Sequence, residues 1–500
     1  MVDVLLAHSF FLKNDARQLE KMKPYPPLGT LYAASHLRRQ GYRVAVFDAM
    51  LADDLSAFVE LLDRSSPRIL AFHEDQFHFL NKMCLGHARD ALCRMSEMAR
   101  ERGATVIAAG SDPSDHPEVY FRHGVQYVLL GESDHSLVEL TNALTGKVPA
   151  AIETIAGLAL PDATVPNGVR KTPPRNPERF PDAFPFPAWD LIDTEKYRRV
   201  WRETHGYFSI NMVSTRGCPF HCNWCAKPIW GQRYAMRSPA NVAEEMALVK
   251  RTLNPDHIWF ADDIFGLQPR WVAEFAREVT AREASIPFMI QSRVDLMTDQ
   301  AIEGLARAGC VEVWLGAESG SQRILDAMDK GTDVEHIPLV REKLRAAGIR
   351  ACFFIQFGYP GETFDDIMAT VNMVRATLPD EIGVSVSNPL PGTGFHEMVK
   401  LELGEKDHWE QSNDLAMMFQ GTYRTDFYRS LHRLLHRDLT LRQKLREAPD
   451  AAEVLRQLED LDIAWAELSQ TEARHRSVNP TPLKKSYDLI AAPDLSRRFN

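Results

Sequence analysis

The chain has no run of 18 apolar residues, so no membrane-spanning helix is expected. It has no basic excess: 58 Lys and Arg face 68 Asp and Glu, a net charge of -10. That balance excludes non-specific nucleic-acid binding, which needs a positive surface. No Gly-x-Gly-x-x-Gly follows the first apolar run, Val2–Ala7, so a dinucleotide site is unsupported. No basic leader or small-residue cleavage site opens the chain; Met1-Val2-Asp3-Val4-Leu5-Leu6-Ala7 reads as a strand, and a cytoplasmic protein is expected. Cysteines are few and odd in number, 7 among 500 residues, which argues against a disulfide framework. No second Cys/His pair follows the one cysteine cluster, which argues against a structural zinc site.

What is present starts with that cluster. Cys218, Cys222 and Cys225 stand in Cys-x-x-x-Cys-x-x-Cys spacing, with His221 inside the loop. Three thiolates on a short loop can hold three irons of a [4Fe-4S] cluster and leave the fourth open to substrate or cofactor. Cys84, Cys93, Cys310 and Cys352 are scattered and read as small buried hydrophobes. The spacing, with Ser214-Thr215-Arg216-Gly217 before it and Pro219 within it, resembles that of radical S-adenosylmethionine (radical SAM) enzymes. The resemblance implies that the amino and carboxylate groups of S-adenosylmethionine chelate the open iron.

Length suggests about three domains, and 45% hydrophobic residues are enough to build their cores. Over residues 1–148 apolar runs alternate with helical patterns. Val2–Ala7, Arg43–Asp48, Ile69–Phe72, Thr105–Ala109 and Tyr127–Leu130 read as buried strands. Leu28–Gln40, Leu55–Arg64, Leu80–Arg102, Pro117–His123 and Ser136–Leu144 read as helices. The alternation predicts an α/β domain, a Rossmann-like parallel sheet with helices on both faces. Ligands of such sheets bind at the carboxyl ends of the strands, which carry His8-Ser9, His73-Glu74, Gly110-Ser111-Asp112 and Gly131-Glu132-Ser133. Pro26-Pro27-Leu28-Gly29-Thr30-Leu31-Tyr32-Ala33-Ala34, Gly41-Tyr42-Arg43-Val44 and Gly124-Val125-Gln126-Tyr127-Val128-Leu129-Leu130-Gly131-Glu132 resemble the amino-terminal domain of cobalamin-binding radical SAM proteins. The resemblance implies cobalamin held near Ser9, Gly110, Ser111, Gly131 and Glu132. The Asp-x-His-x-x-Gly motif that supplies a lower cobalt ligand elsewhere is absent, so the lower face is expected to lack histidine. His8, His73 and His78 read as structural residues. The polar-aromatic run from His73 to Phe79 is expected near the cofactor edge.

Residues 149–205 hold nine prolines between Pro149 and Pro187 and read as a semi-rigid linker. Over 206–400 a strand-loop-helix pattern recurs about six times. Its strands are Ile210–Ser214, His257–Phe260, Ile286–Gln291, Glu312–Leu315, Arg350–Phe357 and Glu381–Val386. Six units suit the partial (β/α)6 barrel of the radical SAM superfamily, with chemistry at the carboxyl ends. The resemblance places the S-adenosylmethionine contacts there: Asp262 and Asp263, Gln291 and Arg293, Glu318 and Ser319. Arg293 is expected to pair with the methionine carboxylate, Asp263 to contact its amine, and Glu318 to hold the ribose hydroxyls or the amine. The helix-capping reading of the Asp pair stands beside this.

Residues 401–500 read as mostly helical, with Ala451, Val454, Leu458, Leu461, Trp465 and Leu468 at helical spacing. Trp409, Met417, Met418, Phe419, Tyr423, Phe427 and Tyr428 precede them, and the segment resembles the tail of glycosyltransferase-associated members of the family. As a whole the resemblance implies a [4Fe-4S] cluster, S-adenosylmethionine and cobalamin as cofactors, and flavodoxin or ferredoxin as electron donor. A 5′-deoxyadenosyl radical would activate an unactivated carbon of a small molecule (a sugar, lipid or natural-product intermediate), and methylcobalamin would methylate it. Cyclisation or ring rearrangement without methyl transfer, and a sensor without turnover, are the rival outcomes. On the cysteine spacing alone, anaerobic reconstitution is expected to give about four irons per chain. Replacing Cys218, Cys222 and Cys225 together by alanine is expected to abolish iron and sulfide incorporation, and retained cluster in that variant would refute the assignment.

Overall fold

The computed structural model describes residues 2–82, 85–225, 229–231, 233–403 and 415–483. Cys84 and Trp409 lie outside the described residues. The first sheet contains β1 (Val4–Ala7), β2 (Val44–Phe47), β3 (Ile69–His73), β4 (Thr105–Ala109), β5 (Tyr127–Leu129), β6 (Leu158–Pro161) and β7 (Val169–Lys171). Their spatial order is β2-β1-β3-β4-β5-β6-β7. The first five are parallel, and β6 and β7 join antiparallel. Val4, Leu5, Leu6 and Ala7 are all fully buried, as strands covered on both faces must be. Leu5, Ala7, Leu70 and Phe72 pack with the helices Ser56–Ser65 and Gly86–Glu101, and Val4, Leu6, Ile69 and Ala71 with Leu28–Arg39 and Asp134–Thr145. The strand order reverses between β1 and β3, and their carboxyl ends lead to His8-Ser9 and His73-Glu74. A doubly wound sheet binds its ligand at such a point.

The proline-rich segment differs from the expectation of a linker without regular structure. Leu158–Pro161 and Val169–Lys171 pair as a hairpin that extends the first sheet. Strands this short, with Pro161 at the end of one, fall below what alternation can detect. The helix Thr194–His205 follows, with the Asp193 side chain accepting from Lys196 N at 3.2 Å. It buries Tyr197 and Trp201. The Trp201 indole donates to Pro24 O at 2.6 Å, and Tyr25 lies between Trp201 and Trp259, with ring centroids 5.2 and 4.7 Å away. The helix therefore fastens the first sheet to the second. The expected helix Leu80–Arg102 is also shorter: a single turn at Phe79–Lys82 precedes Gly86–Glu101.

The second sheet begins with β8 (Ser209–Met212), and β9 (Thr215–Gly217) and β10 (Tyr234–Met236) form a separate antiparallel ribbon. β11 (His257–Phe260), β12 (Phe288–Ser292), β13 (Cys310–Glu318), β14 (Arg350–Phe357) and β15 (Glu381–Val386) complete it. Its six strands lie in the order β8-β11-β12-β13-β14-β15, all parallel, as a half-barrel. Alternation separates its faces. Ala351, Phe353, Ile355 and Phe357 join the core beneath the helices, and Cys352, Phe354 and Gln356 take the opposite side. The β9–β10 ribbon escaped the sequence pattern because its short strands, Thr215-Arg216-Gly217 and Tyr234-Ala235-Met236, form no apolar run of strand length. It frames the cysteine loop: at Gly217, with φ of +78°, a Cβ would lie 2.2 Å from Arg233 O, so only glycine fits.

The helices Thr425–Glu447 and Ala452–Thr471 pack together at the carboxyl-terminal end of the described chain. Leu458, Leu461, Trp465 and Leu468 are buried, and the helix packs against Thr425–Glu447. Asp438 receives Arg375 Nε at 2.8 Å and the Trp465 indole at 2.9 Å, which ties both helices to the barrel helix Phe364–Thr377.

A charge cluster joins the two sheets at their carboxyl ends. Arg216, on β9, is 5% exposed; its Nη1 lies 2.5 Å from Glu132 Oε1 and 2.9 Å from Asp134 Oδ2. The Phe184 ring covers the guanidinium at 3.9 Å. Arg216→Met leaves two buried carboxylates without their cation. Breaking a buried ion pair from one side costs roughly 3–5 kcal/mol, so the variant is expected to unfold at clearly lower denaturant. An unchanged midpoint would show the cluster to be solvated.

Candidate functional site

The cysteine loop leaves β9 at Gly217. Cys218, Cys222 and Cys225 are half-buried, and none is in a disulfide. Asn223 pins the loop between the second and third cysteines. Its backbone N–H donates to Met328 O at 3.0 Å, and its amide donates to Ala327 O at 2.7 Å. Its side-chain oxygen accepts from Tyr359 O–H at 2.9 Å, and its backbone oxygen from Phe395 N at 2.9 Å. A loop tied this tightly offers its three sulfurs in a preset arrangement. Among the described residues no three Cys, His, Asp or Glu side chains converge on a single ion. Three thiolates without a fourth protein donor fit a [4Fe-4S] cluster with one open iron.

The residues expected to contact S-adenosylmethionine divide into two groups. Asp262 is 2% exposed and accepts from Ser214 N at 2.8 Å, Ser214 Oγ at 2.6 Å and Thr215 N at 2.8 Å. It anchors the chain entering the cysteine loop, closer to the capping alternative than to a ligand contact. Burial pushes its carboxyl up to about 6, against the pull of those donors. Ser319 is likewise structural: its hydroxyl lies 3.1 Å from Thr370 Oγ1 and accepts from Ser321 N. Asp263 is exposed beside Asp262, and Gln291 is half-buried on the concave face of β12. Arg293 is buried and turned toward the cysteine loop, with Nη1 3.8 Å from Cys222 Sγ and its guanidinium 3.8 Å from the Phe220 ring.

Glu318 closes β13 in a left-handed conformation, φ +58°, rare for a side-chain-bearing residue. It is buried and accepts from Lys330 Nζ at 2.8 Å. Burial works to lower the Lys330 pKa, but the charges of Glu318 and Cys222 raise it on balance. A Cβ at Gly316 would lie 2.5 Å from Lys330 Nζ and 2.8 Å from Glu318 Oε1, so the glycine makes room for the pair. Lys330 Nζ also lies 5.9 Å from the Trp224 ring of the cysteine loop. Sequence reasoning missed Lys330 because it follows the helix Gln322–Ala327 instead of ending a strand. Its only signal is the short Asp329-Lys330-Gly331 turn.

In the first sheet, Ser9, Glu74, Ser111 and Asp112 line a cleft at the switch point with Arg89 and Tyr120. Burial pushes the Glu74 carboxyl up to about 7, against His8 and Ser9, and its Oε1 has no hydrogen-bond partner. An unsatisfied buried acid facing a cleft suits an absent polar ligand. Two expectations are revised. The space beside Gly110 is taken by Glu74, whose Cβ a side chain there would meet at 2.9 Å. Glu132 is engaged by Arg216, by the Trp230 indole at 3.3 Å and by Glu178 N, and so joins the sheets. Gly131, φ +66°, faces Ile229 O of the segment after the cysteines. His8 Nε2 lies 2.9 Å from Asp48 Oδ1 and 2.9 Å from Ala49 N, and His73 Nε2 lies 2.9 Å from Ser133 Oγ. His8 is thus tied to the β2 end, while His73 Nδ1 is buried without a partner. The run from His73 to Phe79 does reach the cysteine segment, with Phe77 stacked on Trp230 at 5.4 Å.

The model of the radical SAM superfamily matches residues 212–374. An uncharacterised methyltransferase of Pyrococcus horikoshii is 27% identical over 380 residues, 74% of this chain and 78% of that protein. An anaerobic magnesium-protoporphyrin IX monomethyl ester cyclase of Rubrivivax gelatinosus is 26% identical over 392 residues, 76% of this chain and 67% of that protein. The fold is shared with the radical SAM methyltransferase TsrM of Kitasatospora setae, solved with cobalamin and a [4Fe-4S] cluster. There the TM-score is 0.65 at 20% identity, over 81% of this chain and 76% of that one.

At the barrel mouth Glu362 is fully buried; Gly358 N donates to its Oε2 at 2.6 Å, and its Oε1 has no partner. Burial pushes its carboxyl up to about 8 from 4.5. The folded state keeps this proton up to about pH 8, and the unfolded chain loses it near pH 4.5. Stability from this group is therefore present below pH 4.5 and lost as pH rises toward 8. Glu362→Gln removes the loss. The melting temperature of the variant relative to the parent is expected to rise steadily between pH 5 and pH 8. A pH-independent difference would show Glu362 to be ionised throughout.

Proposed function

From the membership of this chain in the cobalamin-binding radical SAM enzyme family we infer that it methylates an unactivated carbon of a small molecule. The observation that carries this reading is the juxtaposition of two sites. The ribbon that frames the three-cysteine loop is held by Arg216 to Glu132 and Asp134, beyond the carboxyl end of β5 in the same sheet whose strand ends border the switch-point cleft. A [4Fe-4S] cluster bound there supplies an electron for cleaving S-adenosylmethionine, and cobalamin supplies a transferable methyl group.

The residues of the chain bind and orient. Cys218, Cys222 and Cys225 hold the cluster, and Asn223 keeps their loop fixed. Glu318 and Lys330 present an anion and a cation side by side, the complement of an amino-acid zwitterion. In this reading Glu318 takes the methionine amine and Lys330 its carboxylate. Asp263 and Gln291 complete that side of the mouth. Ser9, Glu74 and Ser111 border the cleft that would hold cobalamin, through shape and hydrogen bonds. Flavodoxin or ferredoxin is the class of electron donor such a cluster takes.

The test is product mass after anaerobic incubation with candidate small molecules: a product heavier by one methylene supports methyl transfer. Similarity to the Rubrivivax cyclase supports a second reading, ring closure without methyl transfer. Glu318→Gln probes the zwitterion pocket. Removing one partner of a buried charge pair costs roughly 2–5 kcal/mol, so S-adenosylmethionine binding is expected to weaken about 30-fold or more with iron content unchanged. Unaltered affinity would take Glu318 out of the site.

A further inference from the structure

We propose that Arg293 is a positioning residue for the cluster: it donates a hydrogen bond to the Cys222 sulfur and raises the potential at which a bound cluster accepts its electron. This rests on the reading that Cys218, Cys222 and Cys225 carry a cluster. It replaces the expectation that Arg293 grips the methionine carboxylate.

The allocation of its donors carries the argument. A guanidinium has five N–H groups: one on Nε and two on each terminal nitrogen. Nε donates to Asp295 Oδ1 at 2.8 Å, and Nη2 to Asp295 Oδ2 at 3.2 Å. Nη2 also donates to Lys330 O at 2.7 Å, with Gly331 O at 3.4 Å. A bidentate carboxylate contact needs N–H groups on two neighbouring nitrogens, and both forks that include Nη2 are taken. Nη1 remains, and it lies 3.8 Å from Cys222 Sγ. The Phe220 ring, 3.8 Å from the guanidinium carbon, closes one face. Arg293 is 5% exposed, so this contact is little screened by water.

A hydrogen bond to a cluster-ligating sulfur, and positive charge near it, both favour the reduced cluster, which carries one more negative charge. Either raises the reduction potential. Asp295 offsets part of the Arg293 charge, and Glu318 offsets that of Lys330. The N–H···S contact is therefore the larger of the two effects.

The experiment uses the full chain, reconstituted anaerobically, in parent, Arg293→Gln and Arg293→Lys forms. Iron and sulfide content, the midpoint potential from a redox titration followed by paramagnetic resonance, and S-adenosylmethionine affinity are measured for each. Arg293→Gln is expected to keep its cluster, to show a more negative midpoint and to bind S-adenosylmethionine as the parent does. Arg293→Lys keeps the charge without the fork and should fall between them. If Arg293→Gln assembles no cluster, Arg293→Lys decides alone: a lowered midpoint supports the proposal, and the parent's midpoint overturns it. Unchanged midpoints with lost affinity in both variants overturn it in favour of the carboxylate role. A parent chain that assembles no cluster overturns the underlying cluster reading instead.

Discussion

Everything at the site depends on a buried guanidinium two residues ahead of the first cluster cysteine. Arg216 sits on the ribbon that frames the cysteine loop, and its partners Glu132 and Asp134 sit beyond β5 of the first sheet. An ion cluster with so little water around it has few alternative arrangements, because any shift leaves a charge unpaired. The carboxyl ends of the two sheets are thereby kept face to face. Tyr25 and Trp201 do the same from the opposite side by packing.

Ion pairs with a buried cation repeat around the loop. Arg237 lies 2.5 Å from Glu245, Lys330 2.8 Å from Glu318, and Arg293 2.8 Å from Asp295. Such pairs add little net stability over apolar packing, but they define orientation. Orientation is what a half-barrel requires, since its open edge cannot enforce geometry by closure. The asymmetry of the sheet shows the same division. One face of β14 is wholly apolar and fixes the helices. The other carries Phe354, stacked with Trp314 at 4.8 Å, and Gly383 leaves room beside both rings.

The eleven parallel strands and the three cysteines were legible in the sequence because each is a local signal. Buried parallel strands are continuous apolar runs, and cluster ligands announce themselves by spacing. The β6–β7 hairpin and the β9–β10 ribbon were not legible: they are short and, interrupted by Pro161, Arg170-Lys171 and Arg216-Gly217, form no continuous apolar run. Partners were the larger gap. Glu132 and Ser319 end strands, as ligand contacts do, yet their partners, Arg216 and Thr370, lie 84 and 51 residues away. Lys330 was invisible for the converse reason, since it reaches the site from a turn.

Strand-end position therefore locates a site without assigning roles within it. Roles follow from which donors and acceptors the fold has already engaged. Asp262 has three donors on it and acts as an anchor. Glu74 and Glu362 each keep an unsatisfied oxygen, and burial keeps both acids protonated more readily than free carboxyls. Hydrogen-bond capacity is conserved in a buried site, so a group fully used by the scaffold cannot also serve a ligand. Applied to the mouth of this half-barrel, that rule turns Asp262, Ser319 and Glu132 into framework. It leaves Glu74 and Glu362, each with one oxygen still unengaged, as buried acids with capacity to spare.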